Sequence, residues 1–289
     1  ATIVSAGINN GIGRMVKILM PMLGVLLIFM VINGILSGGF ARAFSFLFAP
    51  DFSEVDSNTF LSAMGQAFFS LSLGMGSIMA YGAYMPKEQK IIPTSFTVAS
   101  LDTLVAIFAG LAIFPIIFAF GLEPNSGPGL VFESLQTAFN QMSYGQIVGP
   151  LFFILLSVAA LSSSISLLEP GVAFISEEGY MSRKLAAISI SLLTWTLGIG
   201  TVLSFNLWSD FNLTPGRNFL DSMDFIANQI LLPLGGMLIA IFVGWFMDKN
   251  LINEEIGHVN PILFGIWRFF VKFIAPISVA IIFYNAIFG

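Results

Sequence analysis

Apolar residues run through this chain in long blocks, not in the alternating or one-faced patterns of soluble strands and helices. Uncharged stretches recur from Ile18 to Ala41, Ser57 to Pro86, Thr103 to Leu122, Ser134 to Leu168, Leu185 to Ser209 and Phe225 to Met247. A last one, from Ile262 to Phe288, is interrupted by Arg268 and Lys272. Each is long enough to cross a hydrocarbon core, which takes roughly 17 to 25 helical residues. The pattern predicts an all-α polytopic membrane protein, a single transmembrane helical domain over residues 1–289 with helices at about 15–41, 59–85, 91–121, 146–176, 185–208, 222–247 and 262–288. Short connections, Lys87 to Lys90 and Glu177 to Lys184, make neighbouring helices antiparallel. The segment from Glu123 to Gly145 opens with turn residues and continues with Val131, Leu135, Ala138 and Phe139 at helical spacing, so it reads as a short helix folded over the outer face.

Charge placement orients these spans. With the N-terminal end inside, the inner segments carry Arg14, Lys17, Lys87, Lys90, Arg183, Lys184 and Lys249, and the outer loops only Arg42 and Arg217. The excess of basic residues on one side predicts the N-terminus in the cytoplasm and the longer loops, around 42–57, 123–145 and 210–221, outside. Arg268 and Lys272 near the inner end of the last span leave the C-terminus outside. Only 9% of residues are charged and 56% are hydrophobic, against about 25% charged in soluble domains. The chain has no cysteine and one histidine, which excludes disulfides, thiolate metal sites and histidine-rich zinc or haem sites. No cofactor and no nucleic-acid partner are expected. In the opening segment the basic residues follow the apolar stretch, so it is not a signal peptide and reads as an internal cut.

Candidate chemistry lies inside the spans. The stretch Ala67 to Tyr84, AFFSLSLGMGSIMAYGAY, holds Ser70, Ser72, Gly74 and Gly76 and no charge. On a continuous helix Ser70 and Ser72 point about 200° apart; if the helix unwinds at Ser70 to Gly76, both hydroxyls and several freed carbonyls can face one cavity. Such backbone is tolerated at membrane depth only where protein or a wet cavity surrounds it. The alternative is a small-residue helix contact. Ser162, Ser163 and Ser164 fall near mid-span, where Ser162 and Ser163 could give oxygen ligands to a hard monovalent cation, or could simply bond their own helix carbonyls. Asp102 is an intramembrane carboxylate, and so a functional candidate or half of a structural pair. Glu169 is less deep. Asp221 and Asp224 are gate candidates or an acidic helix start.

At these residues the chain resembles the neurotransmitter:sodium symporter family, especially its bacterial amino acid transporters. The stretch GQAFFSLSLGMGSIMAYGAY resembles the family's discontinuous sixth helix. ALSSSISLLEP resembles the eighth, LDSMDF the start of the tenth and INNGIGRMVKILMP the approach to the fifth. The resemblance covers essentially the whole chain. It implies a broken-helix, inverted-repeat symporter fold of which family helices five to eleven are present and the first four are absent, to be supplied by the same or a second chain.

Carried over residue by residue, the resemblance makes Phe69 an aromatic lid and has Ser70 and Asp102 bind a first sodium. Ser72, Met75, Ser163 and Leu167 border the substrate with Phe69 and Ser70, and the Ala159 carbonyl with Ser162 and Ser163 binds a second sodium. Asp224 matches the acidic half of an outer gate, and Glu177 with Tyr84 part of an inner one, whose arginine partners belong to the absent first helix. Asp102 stands where many members have Asn, and Ala106 where others have Glu or Ser, which implies chloride independence. Met75 replaces a frequent aromatic and suits an adaptable pocket. The expected function is sodium-coupled symport of hydrophobic or aromatic L-amino acids by alternating access in a bacterial inner membrane. The alternative is a non-transporting membrane receptor or assembly subunit on the same fold. No nucleophile, base and third group assemble, so an enzyme is not expected.

Overall fold

The structure, a computed structural model, describes every residue except Glu54, Lys87, Asn125, Ser126, His258, Val259 and Gly289. Lys87, expected in an inner loop, and His258, the one histidine, thus lie outside the described residues. In chain order the helices begin with α1 (Thr2–Ser5), α2 (Gly13–Leu36), α3 (Phe40–Phe48), α4 (Ser57–Ser70), α5 (Ser77–Ala83) and α6 (Ile91–Ala119). Next come α7 (Gly127–Gly129), α8 (Leu135–Gln141), α9 (Gly145–Glu177) and α10 (Arg183–Leu203). An antiparallel hairpin, β1 (Asn212–Thr214) with β2 (Arg217–Asn218), precedes α11 (Phe219–Asp224), α12 (Leu232–Ile241), α13 (Lys249–Ile256), α14 (Pro261–Phe269) and α15 (Ala275–Phe288).

Among the described residues six helical stretches are long and apolar enough to cross a membrane: Asn10–Leu36, Ile91–Ala119, Gly145–Glu177, Arg183–Leu203, Phe219–Phe246 and Pro261–Tyr284. Wider π-helical turns at Phe225–Leu231, Phe242–Phe246 and Phe270–Ile274 keep the last two continuous. The expected span 59–85 is divided into α4 and α5, each too short to cross alone. The chain is a membrane protein. Its α10 leaves Leu192, Leu193 and Trp195 59%, 61% and 65% exposed, an apolar outer face that suits lipid rather than water.

Two boundaries differ from the sequence pattern for local reasons. The first helix stops at Leu36, short of Ala41, because Ser37 folds its hydroxyl back onto the Gly34 carbonyl and Gly38 turns the chain at φ 92. The first part of the outer loop expected at 42–57 is instead the end of helix α3. The helix expected to reach 208 stops at Leu203, where the Ser204 hydroxyl donates to the Gly200 carbonyl and accepts from the Leu220 amide, tying the start of α11 to α10.

The chain forms two compact units. One comprises Ala6–Val55 and Ser100–Ile165. Its core joins Met30 of α2, Ile116 and Ile117 of α6, Leu135 and Ala138 of α8 and Val148 of α9, all essentially inaccessible. The short helix in the Glu123–Gly145 segment is therefore a packed part of this unit. Helix α3 lies along α6, with the Phe46 ring 4.9 Å from Phe114 and 5.5 Å from Phe118, and the Arg42 guanidinium 4.6 Å over Phe118.

The other unit comprises Ala1–Ser5, Asp56–Ala99 and Ser166–Gly289. Here the charges that interrupt the last span find partners. The Lys272 ammonium lies 3.9 Å over the Trp245 ring, a cation–π contact that keeps it out of bare hydrocarbon, and Arg268 donates to the Gly244 carbonyl. Helix α13 was not legible as a separate element; Asp248 caps its start and Gly257, at φ 91, ends it.

Glu169 is fully buried, and Arg183 donates to its Oε2 at 2.6 Å and to the Val4 carbonyl at 3.1 Å. The ion pair fixes the end of α9 against the start of α10 and ties the short α1 to both. Removing one partner of a buried pair costs about 3–5 kcal/mol, because the other charge is stranded. We expect Arg183→Ala, which strands the fully buried Glu169 carboxylate, to lower the thermal midpoint in detergent more than Glu169→Gln, which keeps the shape and leaves only the partly exposed Arg183 charge unpaired. The reverse order in a melting assay would contradict this role.

Candidate functional site

The site is built around the interruption between α4 and α5. Asp56 starts α4 with a capping box, its carboxylate accepting from the Thr59 amide at 2.7 Å while Thr59 reaches back to the Asp56 amide. The helix ends in a Schellman motif. The Leu73 amide donates to the Phe68 carbonyl at 2.9 Å and the Ser72 amide to Phe69 at 3.0 Å. This motif needs a left-handed residue at Ser72, which has φ 54, and among the described residues Ser72 is the one non-glycine with positive φ. Gly74 and Gly76 follow at φ 84 and 80, and α5 begins at Ser77. The unwound stretch is thus a defined chain path.

Helix α5 is held against the later part of α9. The Ser77 hydroxyl donates to the Ser166 carbonyl at 3.3 Å, the Tyr81 hydroxyl to Ser166 Oγ at 2.7 Å, and the Tyr84 hydroxyl to Glu177 Oε1 at 3.1 Å. Pro170 packs on Gly76, where an added Cβ would sit 3.3 Å away. Tyr84 and Glu177, expected as parts of one gate, do meet. Tyr81 and Ser166 were missed by sequence reasoning. Their signal was available, since Tyr81 precedes Tyr84 by one turn on the same face.

Phe69 is 49% exposed and Leu167 52%, while Ser70, Ser72 and Met75 are half-buried; all five belong to this unit. Asp102, half-buried on α6, belongs to the other, as do Ala159, Ser162 and Ser163. Helix α9 runs unbroken past its serines. Ser162 Oγ donates to the Ala159 carbonyl at 2.8 Å, Ser164 to Leu161 at 2.9 Å and Ser157 to Phe153 at 2.7 Å. These are the local back-bonds that sequence reasoning held open as an alternative. The Ala159 carbonyl and the Ser162 hydroxyl thus lie side by side. The Ser163 side chain is exposed beside them. Among the described residues no group of three or more His, Cys, Asp or Glu is arranged for a metal ion, and hydroxyl and carbonyl oxygens are the ligands that replace the hydration shell of a monovalent cation.

Asp224, exposed at the end of α11, accepts from Asn228 Nδ2 at 2.6 Å. It lines a polar recess of about 340 Å³ with Asp221, Arg217, Phe225 and Gln229. The Arg217 guanidinium stacks 4.0 Å over Phe225. Sequence reasoning left this arginine in a loop; the Pro215-Gly216 turn, with Gly216 at φ 73, folds it back on the hairpin.

Six apolar helices of membrane-crossing length, with the chain between α4 and α5 unwound and carrying hydroxyls along the break, have the architecture of a broken-helix membrane carrier. The whole chain, residues 1–289, matches the model of the sodium:neurotransmitter symporter family, and the chain belongs to that family. It is 33% identical over 288 residues to the uncharacterized sodium-dependent transporter YhdH of Bacillus subtilis, covering 99% of this chain and 64% of that protein. A second uncharacterized sodium-dependent transporter, from Haemophilus influenzae, is 36% identical, with 99% and 63% covered. The crystal structure of MhsT in complex with L-phenylalanine matches with a TM-score of 0.87 and 46% identity, over 98% of this chain and 65% of that one. The chain spans a little under two thirds of these relatives.

Left-handed backbone at a non-glycine residue costs about 1–2 kcal/mol, and persists where the surroundings or a function require the side chain. Ser72→Gly should therefore raise the thermal midpoint of the full-length protein in a melting assay; a lowered midpoint would refute the strain.

Proposed function

We propose that the full-length protein is a sodium-coupled symporter of hydrophobic or aromatic L-amino acids in a bacterial cell membrane, working by alternating access and without covalent chemistry. The observation that carries this reading is the unwound stretch from Leu71 to Gly76 between α4 and α5, since irregular backbone at membrane depth is tolerated only inside protein or beside a wet cavity, and discontinuous helices form the binding sites of broken-helix transporters. Support comes from the family and from the MhsT complex, whose ligand is L-phenylalanine.

In this reading Ser70 and Asp102 hold a first sodium next to the substrate carboxylate. The Ala159 carbonyl, Ser162 and Ser163 hold a second. Phe69 covers a substrate bordered by Ser72, Met75, Ser163 and Leu167, with Asp224 at one gate and Tyr84 with Glu177 at the other. The carboxylate of Asp102 supplies the negative charge that chloride gives other members, and transport is chloride-independent. Spans follow the basic residues, with the Arg183–Lys184 loop inside. Each sodium entering down its gradient contributes about 2.3 kcal/mol per 100 mV of potential and about 1.4 kcal/mol per tenfold concentration ratio. One ion is then enough for accumulation of roughly several hundredfold.

The test is uptake of labelled phenylalanine into vesicles with sodium or with choline outside. Sodium alone should drive it, chloride replacement should not change it, and Ser163→Ala should raise the sodium requirement about tenfold, the loss of one charge-assisted oxygen contact. Uptake equal in choline would refute the function, and an unchanged requirement in Ser163→Ala would refute the second ion site.

A further inference from the structure

The break between α4 and α5 rests on bare helix backbone. Gly74 lies against α12: a Cβ built on it would fall 2.7 Å from the Gly236 nitrogen and inside contact distance of the Leu232 carbonyl. The fit is reciprocal. A Cβ on Gly235 would meet the Gly74 carbonyl oxygen at 2.5 Å. One on Gly236 would have the Phe68 ring as its nearest neighbour, at 2.8 Å from Cε1. The two adjacent glycines therefore do different things. At Gly236 a methyl group presses on the far end of a side chain that can turn aside. At Gly235 it presses on the backbone of the break, which has no rotamer to change.

The strip falls where it does because of α12 itself. Pro233 stands where the π-helical turn of Phe225–Leu231 passes into α12, and Gly235 and Gly236 follow with no side chain to hold a neighbour off. Backbone then packs on backbone, two residues from the left-handed Ser72 and four from Ser70.

We propose that Gly235 is a positioning residue for the ion and substrate site: its bare Cα seats the Gly74 carbonyl and so sets the path of the break that carries Ser70 and Ser72. The proposal rests on the functional reading above. It makes α12 a working part of the site although no α12 side chain enters it. A displaced ligand matters disproportionately, since a shift of about 1 Å away from the chemistry can cost about a hundredfold.

The experiment compares Gly235→Ala with Gly236→Ala in the full-length protein. In Gly235→Ala the sodium concentration for half-maximal uptake should rise about tenfold, and in Gly236→Ala less than about twofold. Amide hydrogen exchange at Leu71–Gly76, measured without sodium, should quicken in Gly235→Ala alone. Should Gly235→Ala fail to fold, the wild-type protein decides: sodium should slow amide exchange at Gly235 and Gly236 together with that at Leu71–Gly76, because the seat and the break open as one unit. An unchanged sodium requirement in the folded Gly235→Ala protein, or exchange at the α12 glycines indifferent to sodium where that measurement substitutes for it, overturns the positioning role, as does a larger effect from Gly236→Ala. Unchanged exchange in Gly235→Ala overturns the seat itself. A wild-type protein indifferent to sodium would refute the functional reading, and the exchange comparison would still decide the seat.

Discussion

Peptide groups must be hydrogen-bonded inside hydrocarbon, and each one left over costs several kcal/mol. That requirement explains why, among the described residues, the six stretches long enough to cross run as continuous helices, with π-helical turns absorbing irregularity without opening the ladder. It also explains why the interruption between α4 and α5 is so closely managed. At Ser70 to Gly76 the chain recovers two amide bonds through a Schellman motif, accepts a left-handed serine, and is sheltered by Pro170 of α9 and the glycine strip of α12. The proposed ion and substrate site falls on this stretch.

The two sets of candidate ligands are prepared in opposite ways. On α9 the helix stays intact, and Ser162 and Ala159 bond each other at 2.8 Å, so an ion would add to an existing pair of oxygens. At the break the backbone itself is freed, and order comes from neighbours: Ser77, Tyr81 and Tyr84 anchor α5 on α9. Glu169 with Arg183 serves a different purpose. Its charge is neutralised within the protein and ties helix ends together, which is why a buried carboxylate beside the serine cluster need not be a transport residue.

Much of this was legible because membrane helices advertise themselves by length and uniform greasiness, and because the Gly74 and Gly76 pair is out of place in such a run. The short helix at Leu135–Gln141 was also readable, its apolar residues recurring at 3.6-residue spacing. What escaped reading depends on partners distant in sequence. Nothing local links Arg183 to Val4, or Arg217 of the Asn212–Asn218 hairpin to the ring of Phe225. The ends of α2 and α10 escaped for a related reason, since Ser37 and Ser204 stop those helices with side-chain bonds that a hydropathy pattern does not register. Gly235 and Gly236 look like ordinary small residues until the backbone of Gly74 is seen against them.

The central claim is that the break and the serines of α9 hold monovalent cations. Crystals of the full-length protein grown with thallium in place of sodium test it directly, because the heavier ion marks its site by anomalous scattering. The account predicts one peak in contact with Ser70 and Asp102 and another in contact with the Ala159 carbonyl, Ser162 and Ser163. Peaks only at other places, or none at concentrations that support uptake, would contradict it.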